Sequence, residues 1–281
     1  MDNEQPELFG AAGGDAEFVR SVWEYYERFR RPMPWRDDPQ PYAVLVSEFM
    51  LQQTQVSRVM DRFGPFVARF PTLQALAEAP QSAVVEAWTG LGYNRRARNL
   101  SRSAKLIVDE YNGVLPRDPA ILQLLPGVGP NTAGSLAAFA YNEPTVFIET
   151  NIRRAILHHF FAEQEEVPDR DVREIAERVL DRKRPRDWYY ALMDYGTALR
   201  RSVPNPNRRS KHYSKQSTFS GSLREARGAV VRALAVAAPQ QLHQLEQTLP
   251  IESDRLARAL AALEREGMIV AEPEIGYRLA D

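Results

Sequence analysis

The chain has 281 residues, of which 44% are hydrophobic and 26% are charged, with a formal net charge of −1 and no cysteine. This composition is typical of a globular protein of one large or two moderate domains, and the lack of a long apolar run or an apolar leader predicts a cytoplasmic protein without membrane contact. The lack of cysteine excludes disulfides and Cys-ligated zinc or iron–sulfur clusters, and the histidines show no ligand spacing, so we expect no metal and no cofactor.

Helical patterns dominate residues 16–200. Residues 1–15 are predicted to form a disordered leader, and apolar residues recur at helical spacing over 16–31, where Pro32 follows. Short turns containing Pro or Gly then separate the further predicted helices, at 41–57, 59–69, 73–78, 82–90, 94–111, 118–123, 130–142, 150–161, 169–182 and 186–199. Since no alternating strand pattern interrupts them, the sequence predicts an all-α region.

A basic segment that begins with prolines ends this helical region and is predicted to be a linker over residues 201–221. It contains Arg208, Arg209 and Lys211 and no acidic residue. Such a segment is either a solvated linker or a strap along a phosphate backbone, and the sequence leaves both interpretations open.

Residues 222–281 form a smaller predicted domain. Helical patterns at 223–237, 240–248 and 252–266 precede two short strand-like runs, so the order of elements resembles a winged helix. The third helix carries Arg255, Arg258 and Arg265. A domain of this kind can place its third helix in a DNA groove or dock another protein, and the sequence does not choose between them.

Glu48 is a carboxylate inside an otherwise apolar helical run. Burial would raise the pKa of such a group and make it a proton donor near neutral pH. The alternative is a partly exposed glutamate on an amphipathic helix. The polar residues 52–55 are predicted to continue the same helix, and their amides are suited to hydrogen bonds with nucleobases.

A second candidate group lies around residues 125–129, which read Leu-Pro-Gly-Val-Gly. A glycine-rich turn between two helices can point backbone N–H groups at a phosphate. Glu149 follows at the start of the next predicted helix, where a carboxylate could act on the sugar attached to that phosphate. Glu149 and Asn151 also have simpler interpretations as a charge at a helix N-terminus and a cap, and Tyr93 as a packed aromatic.

Six short motifs, taken together, resemble those of the helix-hairpin-helix (HhH-GPD) DNA glycosylases, and most of all the MutY-type adenine DNA glycosylases. They are PWR (34–36), SEFMLQQTQ (47–55), WTGLGY (88–93), RARNL (96–100), LPGVG (125–129) and MDYG (193–196). They occur in the family's order over residues 16–200. The resemblance implies a two-lobed helical glycosylase fold, followed here by the winged-helix-like domain.

The resemblance also implies roles for single residues. Glu48 matches the acid that protonates the departing purine, Glu149 stands where the family has a catalytic aspartate that stabilises the sugar cation, and Asn151 matches an active-site asparagine. Gln53 and Tyr93 match residues that wedge into the base stack. The remaining implied DNA contacts are Gln52, Arg96, Gly127, Gly129, Asn131, Arg208, Arg209 and Lys211. Asn131 also occupies the position of a Schiff-base lysine in bifunctional relatives, so no lyase step is expected.

Three features depart from the MutY pattern. Glutamate at position 149 adds a methylene and shifts the carboxylate by about 1.5 Å, where a misplacement of about 1 Å can cost roughly a hundredfold in rate. The four-cysteine iron–sulfur loop is missing, and Arg200 stands at the place of its first cysteine. The C-terminal domain with which the family inspects an opposite 8-oxoguanine is not recognisable.

The sequence therefore predicts a monofunctional DNA glycosylase of base excision repair that excises a mispaired purine. Adenine opposite G or 8-oxoguanine is the favoured target, in double-stranded DNA, for a monomer associated with the nucleoid. One alternative is a glycosylase of the same fold for hypoxanthine, another damaged purine or a mismatched T or U. The other is a non-catalytic protein that binds lesions or DNA structures, in which Glu149 marks lost chemistry.

Overall fold

The computed structural model describes residues 14–214 and 218–281, so the predicted leader lies almost wholly outside the described residues. The described chain is helical apart from one small sheet. Its α-helices are α1 (Asp15–Phe29), α2 (Pro34–Asp37), α3 (Pro41–Leu51), α4 (Val56–Arg69), α5 (Leu73–Glu78), α6 (Gln81–Ala87), α7 (Arg95–Tyr111), α8 (Pro119–Leu122), α9 (Pro130–Tyr141), α10 (Thr150–Phe160), α11 (Asp169–Arg178), α12 (Pro185–Ser202), α13 (Leu223–Val236), α14 (Leu242–Thr248) and α15 (Ser253–Arg265). A 3-10 helix (Pro206–Arg209) follows α12, and β1 (Ile269–Glu272) pairs with β2 (Gly276–Leu279) in antiparallel fashion.

The predicted all-α class is confirmed, but the helix predicted over 41–57 is wrong in its extent. Helix α3 ends at Leu51, and a turn separates it from α4, which begins at Val56. Gln53 takes a positive φ of 54° in this turn, a conformation that no α-helix contains. Residues 52–55 therefore form a turn, in which Gln53 and Gln55 are exposed, instead of a further helical turn.

The chain forms two compact units. In the first, which comprises residues 14–44, 117–124 and 128–214, helix α9 is the most enclosed element, with every residue from 133 to 140 buried. Aromatic side chains of α12 fill much of the same core, including Trp188 and Tyr189, which are fully buried. Helix α10 packs against α12, and this packing fixes the start of α10.

A buried ion-pair network ties the loop after α1 and helix α2 to α12 within the first unit. The Asp194 side chain is 1% exposed, and its two oxygens, Oδ1 and Oδ2, accept hydrogen bonds from Arg36 Nη1 at 2.9 and 3.0 Å. It also accepts from the Arg31 backbone N–H (3.1 Å) and from Arg31 Nε (2.7 Å). The Arg36 guanidinium additionally lies 4.4 Å from the centre of the Tyr190 ring. A buried carboxylate is tolerated here because every contact is charge-assisted.

Residues predicted as the start of the linker are held to the first unit. Asn207, in the 3-10 helix, is buried and its Nδ2 donates to the backbone oxygen of Thr150 at 3.1 Å. The Val167 N–H donates to the carbonyl of Arg209 (2.8 Å), and the Lys211 N–H donates to the carbonyl of Val167 (3.0 Å). This part of the basic segment is therefore not a solvated tether, because its backbone is bonded to the unit that carries α10.

The second unit comprises residues 45–116, 125–127 and 218–281. Its C-terminal part has the three helices and the hairpin that the sequence predicts, with Ile269 paired to Leu279 in the sheet. Within the same unit, Gln81 Nε2 donates to the backbone oxygens of Gly267 (3.0 Å) and Ala280 (3.3 Å). The winged-helix interpretation of residues 222–281 stays a prediction.

Across residues 14–214 and 218–281, no helix has both the length and the apolar character that a membrane crossing requires.

Replacing Asp194 by asparagine tests the ion-pair network. We expect Asp194→Asn to lower the free energy of unfolding by about 3–5 kcal/mol, because it leaves the buried Arg36 charge without a counterion. Asp187→Asn is the matched control, an exposed aspartate on the same helix, and should change stability by less than about 0.5 kcal/mol. Urea unfolding followed by circular dichroism measures both, and equal stabilities for the two variants would contradict this account.

Candidate active site

In the first unit, Glu149 caps helix α10 with its own side chain. Its Oε1 accepts from the backbone N–H groups of Asn151 (2.8 Å) and Ile152 (3.0 Å), and its Oε2 accepts from Asn151 Nδ2 at 3.3 Å. Glutamate is not among the preferred N-cap residues, whose shorter side chains reach the same N–H groups directly. The extra methylene is accommodated because the side chain folds back over the first turn of the helix.

The Glu149 carboxylate is half-buried, and burial raises its pKa above the ordinary value. The hydrogen bonds from Ile152 and Asn151 and the charge of Arg154 oppose this rise without cancelling it. The helix N-terminus favours the charged form as well. The result is a fixed carboxylate that becomes protonated at a higher pH than an exposed glutamate.

The amide of Asn151 is oriented from both ends. Its Nδ2 donates to the Glu149 carboxylate, and its Oδ1 accepts from Arg154 Nη1 at 2.6 Å. Arg154 is buried and also donates to the carbonyl of Gly196 at 2.7 Å. A side chain at Gly196 would overlap the backbone carbonyl of Asn151, so α12 approaches α10 this closely only because residue 196 is glycine.

In the second unit, Glu48 lies near the C-terminal end of α3. Its neighbours Phe49 and Met50 are fully buried, and Glu48 itself is half-buried. The structure thus places the carboxylate at the edge of an apolar core, as the apolar run predicts. Its role as an acid stays a prediction.

Besides Asn112, which caps the C-terminal end of α7, two exposed non-glycine residues in the described part of the second unit have left-handed backbone conformations. Gln53 has φ 54° and Tyr93 has φ 48°. Such conformations cost on the order of 1–3 kcal/mol for residues with a side chain and are concentrated at functional sites. Both are the residues that the sequence predicts to wedge into the base stack. Next to Gln53, the Gln52 Nε2 donates to the carbonyl of Gly127 at 3.2 Å.

Arg96 binds the turns that carry these two residues. Its Nη1 donates to the carbonyls of Phe49 (2.9 Å), Met50 (2.7 Å) and Gln52. Its Nη2 donates to Thr54 Oγ1 (2.8 Å) and to the carbonyl of Gly92 (3.0 Å). One guanidinium therefore bonds the end of α3, the turn after it and the turn before α7.

Arg96 does not fit the direct DNA contact that the sequence predicts. The residue is only 7% exposed, and burial lowers its pKa to about 10, which still leaves it charged at neutral pH. Since its donors point at internal carbonyl oxygens, it acts as a positioning residue. Sequence reasoning missed this role because Arg96 stands in a run of arginines that is typical of a surface.

The glycine-rich turn places its two glycines at the surface. Gly127 has φ 84°, and a side chain there would lie 2.6 Å from Asn99 Nδ2, so both the backbone conformation and the space require glycine. Gly129 is exposed and is the N-cap residue of α9. Asn131 is exposed too, but its Oδ1 accepts from the Ile148 N–H at 3.2 Å and from Arg173 Nη2 at 3.4 Å.

The basic residues after α12 belong to the same unit as Glu149. Arg208 and Lys211 are exposed, and Arg209 is half-buried. Asn207 connects this segment to the first residue of α10, Thr150. The positive charges are therefore carried by a backbone that is bonded to the helix that Glu149 caps.

No group of three His, Cys, Asp or Glu that could hold a metal is found within the part of the chain that the structure describes. The iron–sulfur loop of the resembled family falls at the basic segment, where the 3-10 helix offers proline, asparagine and arginine side chains. These residues do not fit a cluster that needs thiolates, and the chain contains no cysteine.

Comparison with known proteins gives one family and consistent relatives. The family described as HhH-GPD superfamily base excision DNA repair protein matches residues 46–182, a span that contains Glu48 and Glu149. The adenine DNA glycosylase of Mycobacterium tuberculosis (strain ATCC 25618 / H37Rv) is 44% identical over 133 residues, which are 47% of this chain and 44% of that protein. The adenine DNA glycosylase of Rattus norvegicus is 35% identical over 216 residues, covering 68% of this chain.

The chain spans 40% of the length of the rat protein and 41% of the adenine DNA glycosylase of Buchnera aphidicola subsp. Baizongia pistaciae. Among solved structures, a thermostable thymine-DNA glycosylase superposes with a TM-score of 0.61 at 24% identity, covering 70% of this chain and 90% of that one. A non-covalent endonuclease III–DNA complex gives a TM-score of 0.55 at 18% identity, with coverages of 65% and 85%. These structures confirm the predicted helical fold.

A conservative change at Arg96 tests the positioning role. We expect Arg96→Lys to lower the free energy of unfolding by about 2–4 kcal/mol, since each buried acceptor left without a donor costs about 1–3 kcal/mol. Amide hydrogen exchange should accelerate at Gln52 and Thr54, whose backbone N–H groups donate to the carbonyls of Glu48 and Leu51 in the turn that Arg96 bonds. Arg95→Lys changes an exposed neighbour and is the matched control. If both variants behave like the wild type, Arg96 does not hold the turns.

Proposed function

We propose that this chain, which belongs to the HhH-GPD superfamily of base excision DNA repair proteins, is a monofunctional DNA glycosylase that removes a mispaired adenine from double-stranded DNA. The observation that carries the proposal is the similarity to adenine DNA glycosylases of bacteria and mammals, at 35–44% identity in the bacterial and rat proteins above. The family match spans both candidate carboxylates, which further supports it. A monomer associated with the nucleoid would be the working form.

The proposed reaction begins when the target base leaves the helix stack, which costs a few kcal/mol. Glu48 then donates a proton to a ring nitrogen of the purine. The bond between base and sugar breaks, its electron pair leaves with the protonated base, and the sugar becomes an oxocarbenium-like cation. Water adds to this cation and loses a proton, which completes hydrolysis.

Glu149 is proposed to stabilise the sugar cation as a fixed negative charge. Its carboxylate is held by two backbone N–H groups and by Asn151, so little reorganisation is needed when the positive charge develops. The same bonds restrict where the longer glutamate side chain can place its oxygens. This supports glutamate as a working substitute for aspartate.

DNA is proposed to be held by three groups of residues. Gln53 and Tyr93 would enter the base stack from their exposed turns, the backbone of Gly127 and Gly129 would bind a phosphate, and the cationic side chains of the basic segment would follow the backbone. The side chain of Asn131 cannot form a Schiff base, so strand cleavage by a lyase step is not expected.

Single-turnover base release tests this function. We expect the wild type to release adenine from duplexes with A opposite 8-oxoguanine or G, and not to act on hypoxanthine or on T opposite G. Glu48→Gln should slow release by at least about a hundredfold while duplex binding persists, because the amide cannot donate the required proton. Glu110→Gln, at an exposed glutamate of α7, is the matched control and should be fully active.

Two outcomes of that assay would contradict the proposal. Release from only the hypoxanthine or T·G duplex would show that the protein is a glycosylase with a different substrate. Lesion binding without release from any duplex would identify a non-catalytic binding protein.

The raised pKa of Glu149 predicts the pH dependence of the reaction. The stabilising charge is present above the pKa of this carboxyl and is lost as the pH falls through it, so the acid limb of the pH–rate profile should lie above the ordinary glutamate value of 4.5. Glu149→Gln can still accept the two backbone N–H groups but carries no charge. We expect it to be about a hundredfold slower and to lack this limb; an unchanged rate and profile would remove Glu149 from the mechanism.

A further inference from the structure

An aromatic and cationic cluster joins the Tyr93 turn to the C-terminal part of the same unit. It consists of Tyr93, Arg224 and Phe219, and is called the stacking cluster below. Arg224 Nη1 donates a hydrogen bond to the Tyr93 hydroxyl. The Arg224 guanidinium lies 5.6 Å from the centre of the Tyr93 ring and 5.9 Å from the centre of the Phe219 ring. Both distances are within the range of a cation–π interaction, so Arg224 links the two rings.

Both rings of the stacking cluster face solvent. Tyr93 is 38% exposed and Phe219 is 58% exposed. Isolated exposed apolar side chains are common on protein surfaces, but two aromatic rings joined by a guanidinium are not isolated. Aromatic rings and arginine guanidinium groups both stack on nucleobases.

The turn that carries Phe219 is well fixed. The carbonyl of Phe219 accepts from the backbone N–H of Ser222 (3.1 Å) and from its Oγ (2.6 Å). Ser222 also caps helix α13 by accepting from the Glu225 N–H, and the Glu225 carboxylate accepts from the Gly221 N–H at 2.8 Å. An exposed ring on such a turn loses little conformational entropy when a ligand binds.

We propose that the stacking cluster binds an unpaired nucleobase, namely the base that loses its partner when the target base is rotated out of the duplex. This inference rests on the proposed function. Removal of one base from the stack leaves its partner without Watson–Crick bonds, so that an aromatic ring entering the stack can pack against it. Tyr93 is the proposed wedge at that vacancy, and Phe219 extends its stacking surface from the C-terminal part of the chain.

The stacking cluster gives the C-terminal part of this chain a specific task. Phe219 and Arg224 lie in or just before α13. Contact with the opposite base then comes from the start of α13, whereas the winged-helix interpretation assigns DNA contact to the third helix, α15. The guanidinium adds donors that can bond the acceptor edge of a guanine.

Binding to two uncleavable duplexes tests the inference. Both carry a tetrahydrofuran abasic analogue; in one it faces guanine, and in the other it faces a second analogue, so that no base is unpaired. Phe219→Ala should weaken binding to the guanine duplex about tenfold, which corresponds to about 1.4 kcal/mol, and leave binding to the other duplex unchanged. Phe219→Trp should keep the wild-type affinity for both, because it keeps a π-face.

Ile275→Ala is the matched control. Ile275 is 51% exposed in the same unit, between β1 and β2, and lies outside the stacking cluster. We expect its removal to affect neither duplex. An equal loss on both duplexes for Phe219→Ala, or no loss on either, would overturn the inference. A wild type that binds the analogue no better than undamaged DNA would instead overturn the proposed function.

Discussion

One buried guanidinium supports the part of the structure that we assign to DNA. A helix end leaves several carbonyl oxygens without partners and carries a partial negative charge. At the end of α3, Arg96 donates hydrogen bonds to these carbonyl oxygens and supplies a positive charge. It also bonds the turn after α3 and the turn before α7. Because these turns have their hydrogen bonds satisfied from inside, their outward residues can keep left-handed backbones and remain exposed. The candidate acid and both candidate wedge residues therefore depend on one cation.

The start of α10 shows the converse arrangement. There a carboxylate, Glu149, satisfies the free N–H groups of a helix N-terminus, and Arg154 supports it through Asn151. In each unit, a helix end is stabilised by a charge of the opposite sign. The charge of Glu149 also takes part in the proposed chemistry, whereas Arg96 holds the turns that carry the candidate wedge residues. The bonds that stabilise the start of α10 also hold the Glu149 carboxylate in a defined position. This explains how a glutamate could replace the aspartate of the family at position 149.

The sequence predicted the helical class, most helix positions and the helix start beside Glu149, because periodicity and caps are local signals. It did not predict that α3 ends at Leu51, since residues 52–55 contain neither glycine nor proline and glutamine favours helices. The burial of Arg96 and the meeting of Tyr93 with Arg224 also could not be foreseen. Both depend on residues far apart in the chain, and no spacing rule relates such positions.

Helix α7 contributes one face to several of these features. Arg96, Asn99 and Ser103 follow one another at intervals of three and four residues, so they lie on the same side of the helix. The first bonds the two turns, the second lies against Gly127, and the third donates to the carbonyl of Pro126 at 3.1 Å. A single inserted residue between positions 96 and 99 would turn the rest of the helix by about 100° and separate the candidate wedge residues from the turn proposed to bind phosphate. The spacing of these three residues thus constrains the length of α7 in this stretch, while its solvent side carries no such constraint.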